Sequence, residues 1–159
     1  MRKEDRSFFM EVAVKEAFKG IQNQNGGPFG AVITHNGKVI AKTHNRVISS
    51  KDPTAHAEIL AIREASKFLD KFDLSDCEIF STCEPCPMCL SAILWARIKK
   101  LYYGCTRNDA EDIGFDDRVI YEIIDIKKEK KLLKKIMIDR DKCLLPFIEW
   151  SKKQNKITY

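Results

Sequence analysis

Residues 77–97 read Cys77-Glu-Ile-Phe-Ser-Thr-Cys83-Glu-Pro-Cys86-Pro-Met-Cys89-Leu-Ser-Ala-Ile-Leu-Trp-Ala-Arg97. The stretch opens as a short β-rich strand, Cys77 to Thr82, and from Pro85 to Arg97 has the length and apolar content of a helix. Lys100 to Gly104 is β-rich again. Upstream, Met10, Ala13, Val14, Ala17, Phe18 and Ile21 fall at helical spacing, and the helix is expected to stop near Gly20 and the Asn25-Gly26-Gly27-Pro28 break. Phe29 to Thr34 and Lys38 to Val47 read as two strands around Asn36-Gly37, the strongest short hairpin signal. Asp52-Pro53-Thr54 reads as a turn feeding a helix from Ala55 to Leu69. Asn108 to Tyr121 reads as loop and short helix, Lys134 to Ile138 as a fifth strand, and Cys143 to Lys153 as a terminal helix. Helices alternating with strands after an opening hairpin predict a three-layer α/β domain with a mixed sheet. Trp95, inside a helix, is expected in the core.

Composition bounds the rest. A chain of 159 residues suits one domain, and 44% hydrophobic residues are enough for a core. No apolar run approaches the roughly 18 residues of a membrane span. The charged start, Met1-Arg-Lys-Glu-Asp-Arg6, does not resemble a signal peptide, so a cytoplasmic setting is expected. The net charge of +5 is local: residues 127–142 carry eight Lys or Arg against three Asp or Glu. A solvated face and an RNA- or phosphate-contacting strip are both open readings of that stretch.

Six cysteines are present, and Cys83, Cys86 and Cys89 fall within seven residues. In a reducing compartment such a cluster reads as metal-binding or catalytic, while Cys77, Cys105 and Cys143 read as small buried hydrophobes. Cys86 and Cys89 share one face of a helix start, where the helix dipole favours thiolate. About 30 residues earlier stands Pro53-Thr54-Ala55-His56-Ala57-Glu58. One imidazole and two thiolates make three protein ligands, the number that leaves a catalytic zinc a position for water. His56 and Glu58 lie two apart, on nearly opposite sides of a regular helix. They can share a site only if both sit in its first turn. Glu58 is then no ligand but the acid–base group. An iron–sulfur reading would want a further cysteine at position 93, where Ile stands. A closed structural zinc site would want Cys83 as fourth ligand; otherwise Cys83 packs behind the metal.

The pattern His-x-Glu followed by Pro-Cys-x-x-Cys is the signature of zinc deaminases acting on bases. The chain resembles the cytidine deaminase-like superfamily, and within it guanine deaminases of the bacterial small-subunit type. The resemblance is carried by Gly26 to Val32, Asp52 to Glu58, Cys83 to Leu90, Gly114-Phe115-Asp116-Asp117, and Pro146 to Trp150 with a terminal Tyr159. It implies a five-stranded sheet between helices and one zinc per subunit. The implied reaction is hydrolysis of guanine to xanthine and ammonia, with a metal-activated water attacking the amine-bearing carbon. Asn45 resembles the residue that hydrogen-bonds the purine, Asp117 the acidic residue beside it, and Tyr159 a tail residue reaching a partner's site. The family implies a homodimer exchanging residues 143–159. Phe29 is expected to stack on the base, and the backbone amides of Ala57 and Cys86 to polarise the ring carbonyl or the water. Deamination of adenosine in tRNA, and of guanosine or another amino-heterocycle, remain alternatives.

Overall fold

The computed structural model describes residues 3–124 and 134–154. Along them run α1 (Lys3–Gln22), β1 (Gly30–His35), β2 (Lys38–His44), α2 (Val47–Ser50), α3 (Ala57–Leu69) and β3 (Cys77–Cys83). There follow α4 (Pro87–Trp95), β4 (Lys100–Cys105), α5 (Arg107–Glu111), α6 (Arg118–Ile123), β5 (Lys134–Met137) and α7 (Arg140–Lys152). The strands form a five-stranded sheet in the order β2-β1-β3-β4-β5. β1 is antiparallel to both β2 and β3, whereas β3, β4 and β5 run parallel. The expected mixed sheet is therefore present. Asn36 and Gly37 both adopt positive φ, 50° and 72°, the backbone of the two-residue turn that their sequence announces.

Period-two alternation feeds both faces of the sheet with apolar side chains. Ala31, Ile33, Ile79 and Leu101 pack with α3 and α4 residues Ala61, Ala65, Leu90 and Ile93. Val32, Phe80 and Tyr102 pack on the other side with α1 and α7 residues Met10, Ala13, Cys143 and Phe147. Three layers result. Gly30 lets α1 press directly on β1, since a Cβ there would lie 2.1 Å from the Ala13 carbonyl oxygen.

Several boundaries depart from expectation for local reasons. α3 begins at Ala57, because the Asp52 carboxylate takes the Thr54 N–H (2.8 Å) and holds residues 52–54 in a turn. β2 ends at His44, because Asn45 Oδ1 accepts from the Val47 N–H (3.1 Å) and starts the short α2. α1 runs through Gly20 and begins well before Met10. Trp95 is a correction: it is 85% exposed. The buried stripe of α4 runs through Cys89, Leu90 and Ile93, and Trp95, two residues on, points away from it. Cys77, Cys105 and Cys143 are buried as expected. Among the described residues no helix is long and apolar enough to cross a membrane.

Candidate active site

Two helix starts face one another here. His56 is the N-cap of α3 and Cys86 the N-cap of α4, both with extended backbone, and neither spends its side chain on a capping bond. Their ring and thiol are left to meet each other. The His56 Nδ1 atom lies 3.6 Å from Cys86 Sγ and 3.5 Å from Cys89 Sγ. The N-cap position also resolves the spacing problem. With His56 outside the first turn and Glu58 inside it, a separation of two residues places both at one point. Glu58 is 5% exposed and accepts from Ser81 Oγ at 2.8 Å and from Cys89 Sγ at 3.4 Å.

The donor set fits zinc. Tetrahedral bonds of about 2.0–2.3 Å place neighbouring ligand atoms roughly 3.5–3.8 Å apart, and the nitrogen–sulfur separations are 3.5 and 3.6 Å. The three ligand atoms all lie within 4.8 Å of one another, and this is the one such group among the described residues. Cys83 is not in it: its buried thiol donates to the Thr106 carbonyl (3.5 Å), which removes the closed four-ligand site. Charge follows the geometry. Hydrogen bonding from Cys89, with help from His56, brings the Cys86 thiol down to about 4 against the effect of burial. Burial pushes the Glu58 carboxyl up, and the His56 charge offsets only part of that.

Residues 3–105 match the family described as the cytidine and deoxycytidylate deaminase zinc-binding region. The chain belongs to this deaminase family. It is 45% identical to the guanine deaminase of Bacillus subtilis (strain 168) over 151 residues, 95% of this chain and 97% of that one. A solved structure of guanine deaminase from Bacillus subtilis superposes with a TM-score of 0.74 at 44% identity, covering 100% of this chain and 99% of that one. A guanine deaminase from Nitrosomonas europaea gives 0.78 at 29% identity, over 90% of this chain and 82% of that one. The tRNA-specific adenosine deaminase of Aquifex aeolicus (strain VF5) is 43% identical, but over 62% of this chain and 65% of its own.

In this deaminase a cavity of about 320 Å³ opens beside the three ligands. Phe29, Asn45, Glu58 and Asp117 line it together with His56 and Cys86. Phe29 is half-buried, held edge-on by Phe115 (centroids 5.0 Å apart) and Phe147 (5.4 Å). Asn45 is 1% exposed, and its Oδ1 also accepts from the Gly27 N–H at 3.3 Å. A Cβ on Gly26 would lie 2.1 Å from that oxygen, so the loop closes on Asn45 only with glycine there. Asp117 is the N-cap of α6, with no side-chain capping bond. Burial, then the negative Cys86, pushes its carboxyl up, while Arg107 opposes them. Its neighbour Asp116 is committed to Arg118 (2.8 Å). Ala57 is fully buried at the first position of α3. Tyr159 lies outside the described residues, as do residues 127–133 of the basic stretch.

Sequence reasoning missed Ser81, Arg107 and Tyr121. Ser81 was detectable: it alternates with Ile79 on the β3 face that meets α3, where a hydroxyl needs a partner. Arg107 lines the cavity and lies over the Tyr121 ring at 4.8 Å, while Tyr121 donates to the Pro85 carbonyl at 3.1 Å. These contacts join α5 and α6 to the loop carrying Cys86, and nothing in local sequence announces them. Of the described basic residues in 134–142, Lys135 pairs with Glu84, Arg140 with Asp109 and Lys142 with Glu11.

Proposed function

We propose that this deaminase hydrolyses guanine to xanthine and ammonia. The observation that carries the reading is the likeness to the Bacillus enzyme over 95% of the chain. It extends past residue 105, into the segment where α6 sets Asp117 on the cavity wall. Ligand cavities run from about 300 Å³ upward, so a cavity of about 320 Å³ suits a free base.

The roles follow from donor and acceptor chemistry. Guanine presents N1–H and an exocyclic amine as donors, and ionised Asp117 accepts only. Asn45 has its oxygen on the Gly27 and Val47 amides, and its amide nitrogen, a donor, is matched to an acceptor of the base, N7 or O6. Phe29, on the cavity wall, stacks on the ring. His56, Cys86 and Cys89 would hold the zinc. When bound, zinc acts as a Lewis acid and lowers the pKa of a water toward about 7. Glu58, pinned by Ser81, takes one proton from the attacking water and gives it to the ring nitrogen, then carries the second proton, from the added hydroxyl, to the departing amine. The amides of Ala57 and Cys86, at two helix starts, polarise the ring carbonyl or the water.

A homodimer exchanging its terminal segment belongs to the same proposal. α6 has no buried residue and exposes Val119, Ile120 and Ile123, with Ile120 on the cavity wall, apolar surface that a partner's tail would cover. So does a cytoplasmic setting, since all six cysteines are unpaired thiols.

Ammonia release from guanine, guanosine, adenine, cytosine and a tRNA anticodon hairpin tests the reading. Guanine is expected to be the substrate. Turnover of the hairpin without turnover of guanine, with affinity falling steeply as salt rises, overturns it.

A further inference from the structure

Beside Asn45, three polar side chains with no part in the chemistry above form a connected chain. Glu16 on α1 is 7% exposed and His44, the last residue of β2, is 8% exposed. Glu16 Oε2 meets His44 Nδ1 at 3.0 Å, and Asn25 Nδ2 meets His44 Nε2 at 2.8 Å. Both ring nitrogens of His44 are thus engaged, Nε2 by the Asn25 amide and Nδ1 by the Glu16 carboxyl. The His44 side chain lies against α1, where a Cβ on Gly20 would come to 3.0 Å from its Cδ2. Asn25 in turn donates its N–H to the Gly20 carbonyl (2.9 Å) and accepts from the Ser49 N–H (3.0 Å).

The two amides that hold Asn45 Oδ1 both lie in segments that this chain touches, through the Asn25 and His44 backbone as well as their side chains. His44 precedes Asn45. Gly27, which donates to its Oδ1, lies two residues after Asn25. Val47, the second donor, begins α2, which Asn25 holds through Ser49. A carboxylate so deeply buried is a poor source of stability, because desolvation consumes most of what its pairing returns. What the arrangement does supply is a fixed position.

We propose that Glu16, His44 and Asn25 are positioning residues that set the Asn45 amide in register with the purine. This rests on the reading that Asn45 touches the base, and the experiment separates the two. Asn45→Ala, His44→Ala, His44→Gln and Glu16→Gln are assayed on guanine, on 7-deazaguanine, which lacks the N7 acceptor, and on 2-aminopurine, which lacks O6. Zinc content and melting temperature are recorded for each. Asn45→Ala lowers kcat/KM for guanine and loses its effect on one analogue, which names the acceptor. His44→Ala then lowers guanine kcat/KM by about 10- to 100-fold, the cost of a misplaced contact. It spares that same analogue, Glu16→Gln follows in the same direction, and His44→Gln recovers much of the loss. If His44→Ala penalises guanine and both analogues equally, the chain is merely structural and the proposal is overturned. If Asn45→Ala matters while His44→Ala and Glu16→Gln do not, the positioning role falls and the contact stands. If Asn45→Ala changes nothing, the contact itself falls, and the proposal with it.

Discussion

Glu58 has one hydrogen-bonding neighbour that turns it and another that belongs to the candidate zinc site. Ser81 fixes one carboxylate oxygen at 2.8 Å, and Cys89 touches the other at 3.4 Å. Glu58→Gln keeps the shape and the Ser81 contact but cannot cycle a proton. The expected outcome is full zinc occupancy by metal analysis and a kcat lower by about 10²–10⁴, the usual worth of acid–base help. Normal turnover in that variant would remove Glu58 from its proposed role. The residue scale is also where sequence reading divides most sharply. The three candidate metal ligands were legible because His-x-Glu and Cys-x-x-Cys stand about 30 residues apart, each at an expected helix start. The partners of His44 were not, because Glu16 and Asn25 lie 28 and 19 positions away from it. Only the path of the chain brings them together.

At the scale of elements, α3 and α4 begin without side-chain caps, and their N-cap residues His56 and Cys86 are instead two of the three candidate zinc ligands. Zinc should therefore act as the missing cap on both helices, and binding to the folded state alone adds stability. Removing zinc with a chelator is expected to lower the melting temperature. Hydrogen exchange should speed first at the amides of residues 57–60 and 88–90, while α1 stays protected. Uniform loosening would contradict this. A second device joins α5 to α7. Asp109 closes a capping box with Thr106 and also receives Arg140 (Nε to Oδ2, 3.0 Å). Burial raises its carboxyl, but the Arg140 and Thr106 bonds outweigh that and bring it below the ordinary value. A group with a depressed folded pKa stabilises above its unfolded pKa of about 3.9 and stops doing so as pH falls through the folded value. Asp109→Asn should cost about 1–3 kcal/mol near neutrality by urea denaturation. Its deficit against the unmodified protein should shrink below pH 4; a constant gap would count against the charge. Elements themselves read well from the sequence: the Asn-Gly hairpin, the strands around 77–83 and 100–105, and the fifth strand at Lys134–Met137 all stand where periodicity put them. Starts and stops read badly, since α3 waits for the Asp52 turn and β2 yields to the Asn45 side chain.

For the whole molecule, the proposed tail exchange can be tested by complementation. Deleting residues 156–159 should abolish guanine turnover, and so should Glu58→Gln in the full chain. If the tail acts across the dimer, unfolding and refolding the two together should restore activity. Random pairing makes half the dimers mixed, each with one complete site, so about a quarter of normal activity is expected. No recovery would mean that each chain completes its own site. Phe68, Phe72 and Trp95 are 68%, 76% and 85% exposed at the ends of α3 and α4 and the loop beyond α3, the surface on which subunits would meet.

The two outermost strands carry their own message. β2 leaves Lys38 and Lys42 exposed, and β5 leaves Lys134 exposed. Cations on an unpaired margin discourage another chain from docking there backbone to backbone. Open-ended stacking of sheets is thereby disfavoured at both borders.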